Sequence, residues 1–479
     1  MDPVNPPEDS EDTKKLQINS SGDFVTPSLF LFLDHFLVSV GNWLYWLLIS
    51  KLTLSSEVGL AVTVYSLVML VTTITQLGIE YPLLKKSHIL GSRIVGTSII
   101  IELIMTAASI PFVFIIVNTL YDESIRHFTW ISIALLVLFS IDLVARFGLL
   151  GISNSRAVLI VDLIGLGIKI AVGFLLVNAS YGALGILLAY LAGHLFVTIA
   201  YLLILKRSLS FRLGNGAYFK ETIKDALINA PAKWSKMVIV TLSIVLLAFL
   251  NISASDIGIF YVALIITVVV ASFATSMAFM VIPSSATLQK DLSLSSLRIS
   301  LSLTAPIVVA LLVIPRSILS LIGSEYESAA TVMSILAMAI IPSAITVNMI
   351  SKLNNLNKSK LLILTGILQI AIFFVSFFVL VPISETIGAA ISILLAYLSS
   401  AVLFIFSTYQ GSLRYIIFAC LSVLAGYTIG HMIGMITGYE QQLLIMMSSV
   451  AASIFVILAS KSMTIKEIRG LVKQALRKN

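Results

Sequence analysis

The chain has little charge. Asp, Glu, Lys and Arg make up 11% of its 479 residues, against about 25% in an ordinary soluble domain, while 58% are hydrophobic and the mean hydropathy is +1.06. No soluble interior could hide that much apolar surface. There is one cysteine, Cys420, which excludes an internal disulfide and a cysteine metal site and leaves the redox compartment unread. Its position suits lipid-facing packing. The sequence also lacks a glycine-rich phosphate loop of the nucleotide-hydrolysing kind, so an ATP-driven pump would need a partner. No nucleophile, base and acid stand at catalytic spacing, and neither an enzyme nor a cofactor is expected. The first 26 residues lack the basic start and apolar core of a secretory signal. Asp2, Glu8, Asp9, Glu11, Asp12 and Asp23 against Lys14 and Lys15 read instead as a disordered cytosolic tail.

What the chain does have is apolar runs of at least about 18 residues, each closed by a short polar or basic stretch, from Ser28 to Ser460. Runs of that length match bilayer helices. Barrel strands would be about 10 residues long with alternating polarity, and Ile131 to Leu138 or Ile370 to Val381 do not alternate. The expected fold is therefore all-α, a polytopic membrane protein of about 14 transmembrane helices. The spans fall at 28–50, 58–79, 92–117, 128–148, 157–177 and 182–205, then 232–251, 257–282, 299–322, 328–350, 360–382, 387–409, 413–436 and 440–460.

Lysine and arginine are retained in cytoplasmic loops. With the amino terminus inside, 26 of the 30 fall on the cytoplasmic side; Lys51, Arg126 and Arg316 lie outward and Lys169 lies mid-span. Because an odd number of missed spans would reverse alternate loops, both termini are expected to be cytoplasmic, in a cell membrane. The net charge of +7 then follows from loop position and attraction to anionic lipid, and no nucleic-acid partner is expected. The expected organisation is a tail (1–27), a six-helix lobe (28–205), a basic cytoplasmic linker (206–231), a second six-helix lobe (232–409), two additional helices (410–460) and a basic amphipathic cytosolic tail (461–479). The two lobes read as an internal repeat: Ser56-Glu57-Val58-Gly59 matches Ser255-Asp256-Ile257-Gly258 at an offset of 199. Parallel repeats of this kind place a substrate cavity between the lobes near the midplane.

Certain segments resemble a known family. Gly323-Ser324-Glu325-Tyr326-Glu327-Ser328-Ala329-Ala330, Ile341-Pro342, Asn354-Asn355-Leu356-Asn357-Lys358-Ser359-Lys360, Val381-Pro382-Ile383 and Ile387-Gly388-Ala389-Ala390 resemble polysaccharide-exporter flippases. Ser55-Ser56-Glu57-Val58-Gly59 followed by Gln76-Leu77-Gly78-Ile79-Glu80 resembles the first helix pair of the same family, which belongs to the multidrug, oligosaccharidyl-lipid and polysaccharide (MOP) superfamily. The resemblance implies two MATE-like lobes that rock to carry a polyprenyl-linked oligosaccharide from the cytoplasmic to the outer leaflet. Fourteen helices suit this branch better than the twelve of drug exporters. The implied partners are the lipid-linked oligosaccharide, membrane lipids, and glycosyltransferases or a polymerase of the same pathway. The mid-span cations are few for a diphosphate passenger, which is a departure from the family.

Charges inside bilayer helices cost roughly 2.5–3.5 kcal/mol each, so those retained face a cavity or one another. They are Asp34, His35, Glu102, Asp142, Arg146, Asp162, Lys169 and His194, all in the first lobe, with Lys233 and Lys236 at the start of the seventh helix. Asp142 and Arg146 are four apart and can pair on one helix face. Asp162 and Lys169 are about 10.5 Å apart in rise, so Lys169 needs Glu102, Asp34 or an anionic substrate. Asp34, His35 and Asp162 are candidates for a coupling-ion site, since carboxylate and imidazole change charge when perturbed; the plainer reading pairs Asp34 with Lys169 or Arg146. Lys169, Arg146, Asp142, Asp34, Glu102, Lys233 and Lys236 are the candidate substrate contacts. His194 and His431 lack a second ligand at metal spacing and read as packed side chains; no metal is expected. The competing expectation is an ion-coupled exporter of small cations, favoured by Asp34, Glu102, Asp142 and Asp162. A membrane glycosyltransferase would require a long outward catalytic loop, which the assigned spans do not leave.

Overall fold

Helices follow from the apolar runs because only internal hydrogen bonding satisfies a backbone in lipid. The computed structural model describes residues 25–462 except 81, 85–86, 88–91, 121–122, 153, 209–215, 289–292, 357, 409–412, 438–440 and 461, and among them there is no strand. The acidic tail and the basic carboxy-terminal tail lie outside the described residues. The first lobe comprises α1 (Val25–Leu52), α2 (Ser55–Thr75), α3 (Ser92–Leu120), α4 (Thr129–Gly151), α5 (Ser155–Asn178) and α6 (Gly182–Ser208). The second comprises α7 (Gly216–Phe249), α8 (Ala254–Leu288), α9 (Ser293–Val313), α10 (Ala330–Asn355) and the run Ser359–Thr408, followed by α13 (Leu413–Thr437) and α14 (Gln442–Ala459).

The run Ser359–Thr408 is 50 residues long, about 75 Å if straight and more than twice the bilayer core. It is broken at Ser384 and Glu385, the latter at φ 46°, into α11 (359–383) and α12 (386–408). Twelve helical stretches among the described residues are long and apolar enough to span, this run counted as one; α7 contributes a shorter apolar stretch, Ile239–Phe249. Two expected boundaries move. α9 stops at Val313 instead of 322, because Pro315 cannot continue it; a separate short helix, Pro315–Ser320, follows. The stretch read as a loop at 206–231 is helical from Gly216 onward, where α7 begins.

The lobes meet where α1 and α2 pack on α7 and α8, through the pairs α1 with α8, α2 with α8 and α2 with α7. Exchanging α1 with α7 and α2 with α8 leaves these three pairs unchanged; α7 also packs on α3. The repeated tetrapeptides lie where α2 meets α8. A Cβ on Gly59 would stand 1.7 Å from the Ala254 carbonyl oxygen, and one on Gly258 would stand 2.0 Å from that of Ser55. Only glycine allows backbones to approach so closely. Beside this contact Ser55 Oγ donates to Glu325 Oε2 at 2.9 Å and lies 2.9 Å from Ser255 Oγ. Deeper in the seam, Trp46 of α1 meets Tyr261 of α8 edge to face at 4.8 Å. α13 and α14 pack on α9, and α13 buries Ser422, Gly426, Gly430 and Gly434, small residues suited to close helix contact in lipid.

Candidate functional site in the first lobe

Polar and aromatic residues recur at spacings of three, four, seven or eight on four first-lobe helices. They are Asp34, Asn42 and Tyr45 on α1, Asp142 and Arg146 on α4, Asp162 and Lys169 on α5, and Tyr190, His194 and Tyr201 on α6. That spacing gives each helix one polar face. The faces converge on a cavity of about 160 Å³ lined by residues of α1, α2, α4, α5 and α6. The repeat led to the expectation of a cavity between lobes. This cavity lies inside the first lobe, where its ionisable side chains turn toward one another, and a second cavity of similar volume lies at the seam, lined by Leu60 and Thr63 of α2 and by Ala248, Asn251 and Ile257.

Arg146 holds two carboxylates. It pairs closely with Asp34, and its Nε lies 3.0 Å from Asp162 Oδ2. Tyr201 donates its hydroxyl to Asp162 Oδ1 at 2.5 Å. Asp34 is fully buried behind the guanidinium and does not line the cavity. Asp142, expected to pair with Arg146 one turn along α4, faces α6 instead, where His194 Nδ1 lies 2.5 Å from its Oδ2. The reason is geometric: Arg146 reaches two acids on α1 and α5, so Asp142 takes the other ionisable partner within reach. Two carboxylates around one guanidinium leave a net negative charge when all are ionised, a setting for one further cation or proton.

Lys169 is 4% exposed. Its Nζ donates to Asn42 Oδ1 and stands over the rings of Tyr45 and Tyr190, 4.7 and 4.4 Å from their centroids. Neither Asp34 nor Glu102 reaches it, and among the described residues no carboxylate forms an ion pair with it. Gly173, one turn beyond Lys169, makes the arrangement possible: a Cβ there would stand 2.7 Å from Tyr45 Cε2. The Tyr45 hydroxyl is anchored by donating to the Ile186 carbonyl at 3.2 Å.

The other expected residues lie elsewhere. Glu102 accepts from Thr75 and Thr106 at 3.0 and 3.5 Å, because the hydroxyls of α2 and of its own helix are nearer than any cation of the cavity. His35 Nδ1 lies 3.0 Å from Ser276 Oγ on α8, in the seam, since the residue after Asp34 points about 100° around the helix. The side chains of Lys233 and Lys236 lie outside the described residues. Among the described residues no group of three His, Cys, Asp or Glu could hold a metal ion.

No protein-family model matches the chain, and no curated protein matches its sequence. Solved structures do. Lipid II flippase MurJ in an inward closed conformation superposes with a TM-score of 0.71 at 12% identity, over 93% of this chain and all of that one. The MATE multidrug transporter DinF-BH gives 0.64 at 15% identity, over 86% of this chain and all of that one. An inward-facing multidrug resistance MATE family transporter of the MOP superfamily gives 0.59 at 13% identity, over 82% and 98%. The chain shares the fold of these structures.

Within that fold the residues that sequence reasoning passed over are mostly neutral. Asn42, Tyr45, Tyr190 and Tyr201 carry no charge and sit in apolar runs, so a search for mid-span charges misses them. His194, set aside as a packed histidine, faces the cavity and pairs with Asp142. Its spacing from Tyr190 and Tyr201, four and seven residues, is the signal that places all three on one face.

Proposed function

We propose that the protein is a membrane transporter that flips a polyprenyl-linked oligosaccharide from the cytoplasmic to the outer leaflet by alternating access, for assembly of a surface glycan. The observation that carries this reading is Lys169, a buried ammonium held by an amide and two rings. A cation without a carboxylate partner inside a bilayer is ready for an anionic group. Arg146, in contrast, is already neutralised by Asp34 and Asp162. A cavity of about 160 Å³ holds roughly five waters, far less than a sugar headgroup, so the passenger is received only after the α1–α8 seam parts. Trp46 and Tyr190, 5.8 Å apart, connect the Lys169 pocket to that seam.

The shares of the chain covered support the flippase over the drug exporter. The lipid flippase covers 93% and the two MATE transporters 86% and 82%, a difference comparable to α13 and α14 together. In this reading both termini are cytoplasmic, the lobes divide between α6 and α7, Lys233 and Lys236 guide the headgroup in, and the enzymes that build or polymerise the glycan act before and after. The test is flipping of a fluorescent polyprenyl-diphosphate oligosaccharide in proteoliposomes. Lys169→Ala is expected to lower the rate at least about tenfold, one lost charge-assisted contact being worth about 1.5–3 kcal/mol. Full flipping by that variant would remove the central cation from the scheme.

A second reading, an ion-coupled exporter of small cations, is favoured by the carboxylates of Asp142 and Asp162 in the cavity wall. Efflux of a cationic dye by the wild-type protein, with no flipping of the lipid, would select it.

A further inference from the structure

We infer that Tyr45, Tyr190 and Asn42 form an organic-cation site that the protein fills with its own Lys169, so that Lys169 excludes cationic cargo. The inference concerns the resting position of Lys169 and does not depend on which lipid is flipped.

The geometry is that of an aromatic cage. Nζ stands 4.7 and 4.4 Å from two ring centroids, within the roughly 6 Å over which a ring quadrupole attracts a cation, and such cages recognise quaternary ammonium ligands. Tyr65 extends the wall, its ring centroid 4.7 Å from that of Tyr190. Asn42 supplies a carbonyl oxygen. None of these groups is an anion. They therefore stabilise an alkylammonium through ring faces and a dipole, while the ionisable groups Asp142, Arg146, Asp162 and His194 stand in the same cavity and are engaged with one another or with Asp34. Lys169 reaches the cage as a tethered ligand at an effective concentration no free cation can match.

Two consequences follow from tethering. A free cation cannot enter while Lys169 occupies the cage, which keeps a site of drug-exporter chemistry closed to drugs. An incoming phosphate can draw the ammonium out, since a cation held by neutral partners has no ion pair to break. Truncating the side chain should then open the cage and add the volume of the lysine stem to a cavity of about 160 Å³, enough for a small alkylammonium ion.

The experiment uses the full-length protein in detergent, as wild type, Lys169→Ala, Lys169→Ser and Lys169→Met, titrated with tetramethylammonium or butylammonium chloride against matched sodium chloride. Thermal unfolding and tryptophan emission are read together, because Trp46 stands 5.8 Å from Tyr190. The two truncations are expected to show a saturable rise in melting temperature of about 2 °C and a saturable change in emission. Wild type, with its cage filled by the lysine, and Lys169→Met, with its cage filled by an uncharged chain, are expected to show neither. Both truncated forms are also to be expressed and purified with butylammonium present throughout. Failure of both to gain stability or folded yield from the ion, or an equal response from wild type, overturns the inference. Failure of Lys169→Ala to flip lipid bears only on the proposed function, since the cation response is measured without transport.

Discussion

The two lobes share a helix pattern and a close contact, yet they solve the problem of burying polar groups differently. Among the described residues, Arg146 pairs with Asp34 and Asp162, and His194 lies against Asp142, all in the first lobe. The second lobe buries hydroxyls and amides. Ser296 donates to Asn348 Oδ1 at 2.6 Å between α9 and α10, and Thr346 and Ser400 lie 2.6 Å apart. The difference teaches where chemistry and where structure reside. Neutral pairs join helices and are tolerated in lipid at little cost, whereas charges survive there only when mutually compensated or used. The ionisable groups are thus gathered on one side of the α1–α8 seam.

That contrast can be broken by substitutions in order of effect. Arg146→Ala leaves two buried carboxylates without their cation and is expected to destabilise by about 3–5 kcal/mol, read as the largest drop in thermal stability among these variants. Next comes His194→Phe, which strips Asp142 of its partner at an expected cost of about 1–3 kcal/mol by the same measurement. Asn348→Leu in the second lobe removes one interhelical hydrogen bond and should cost only about 0.6 kcal/mol and leave flipping intact. If Asn348→Leu proved as damaging as Arg146→Ala, the division of labour between the lobes would be refuted.

Much of the fold was legible from run length, because a bilayer imposes about 20 apolar residues per crossing, and the close contact between the lobes was legible from Gly59 and Gly258, the last residues of the two matched stretches. The ionised set of the site was legible for the same reason: a charge in an apolar run is conspicuous. Partnership was not. Asp142 and Arg146 satisfy the four-residue rule on α4, but the helix is surrounded, and each side chain finds a better partner on a different neighbour. Nor could charge alone reveal the neutral groups around Lys169, since Tyr45 and Tyr190 look like ordinary membrane aromatics until Gly173 is seen to admit the first of them. Pro315 did carry a readable stop signal, and the apolar run on both sides of it masked that signal.

The Gly59 and Gly258 contact has a mechanical consequence. Where two helices interlock through side chains, pulling them apart means withdrawing knobs from sockets and leaving holes behind. Here smooth peptide surfaces touch, with nothing protruding to extract or rehouse. Separating the two helices at this point would withdraw no knob from a socket, and the side chains that would have to find their places again lie deeper in the seam, at Trp46 and Tyr261.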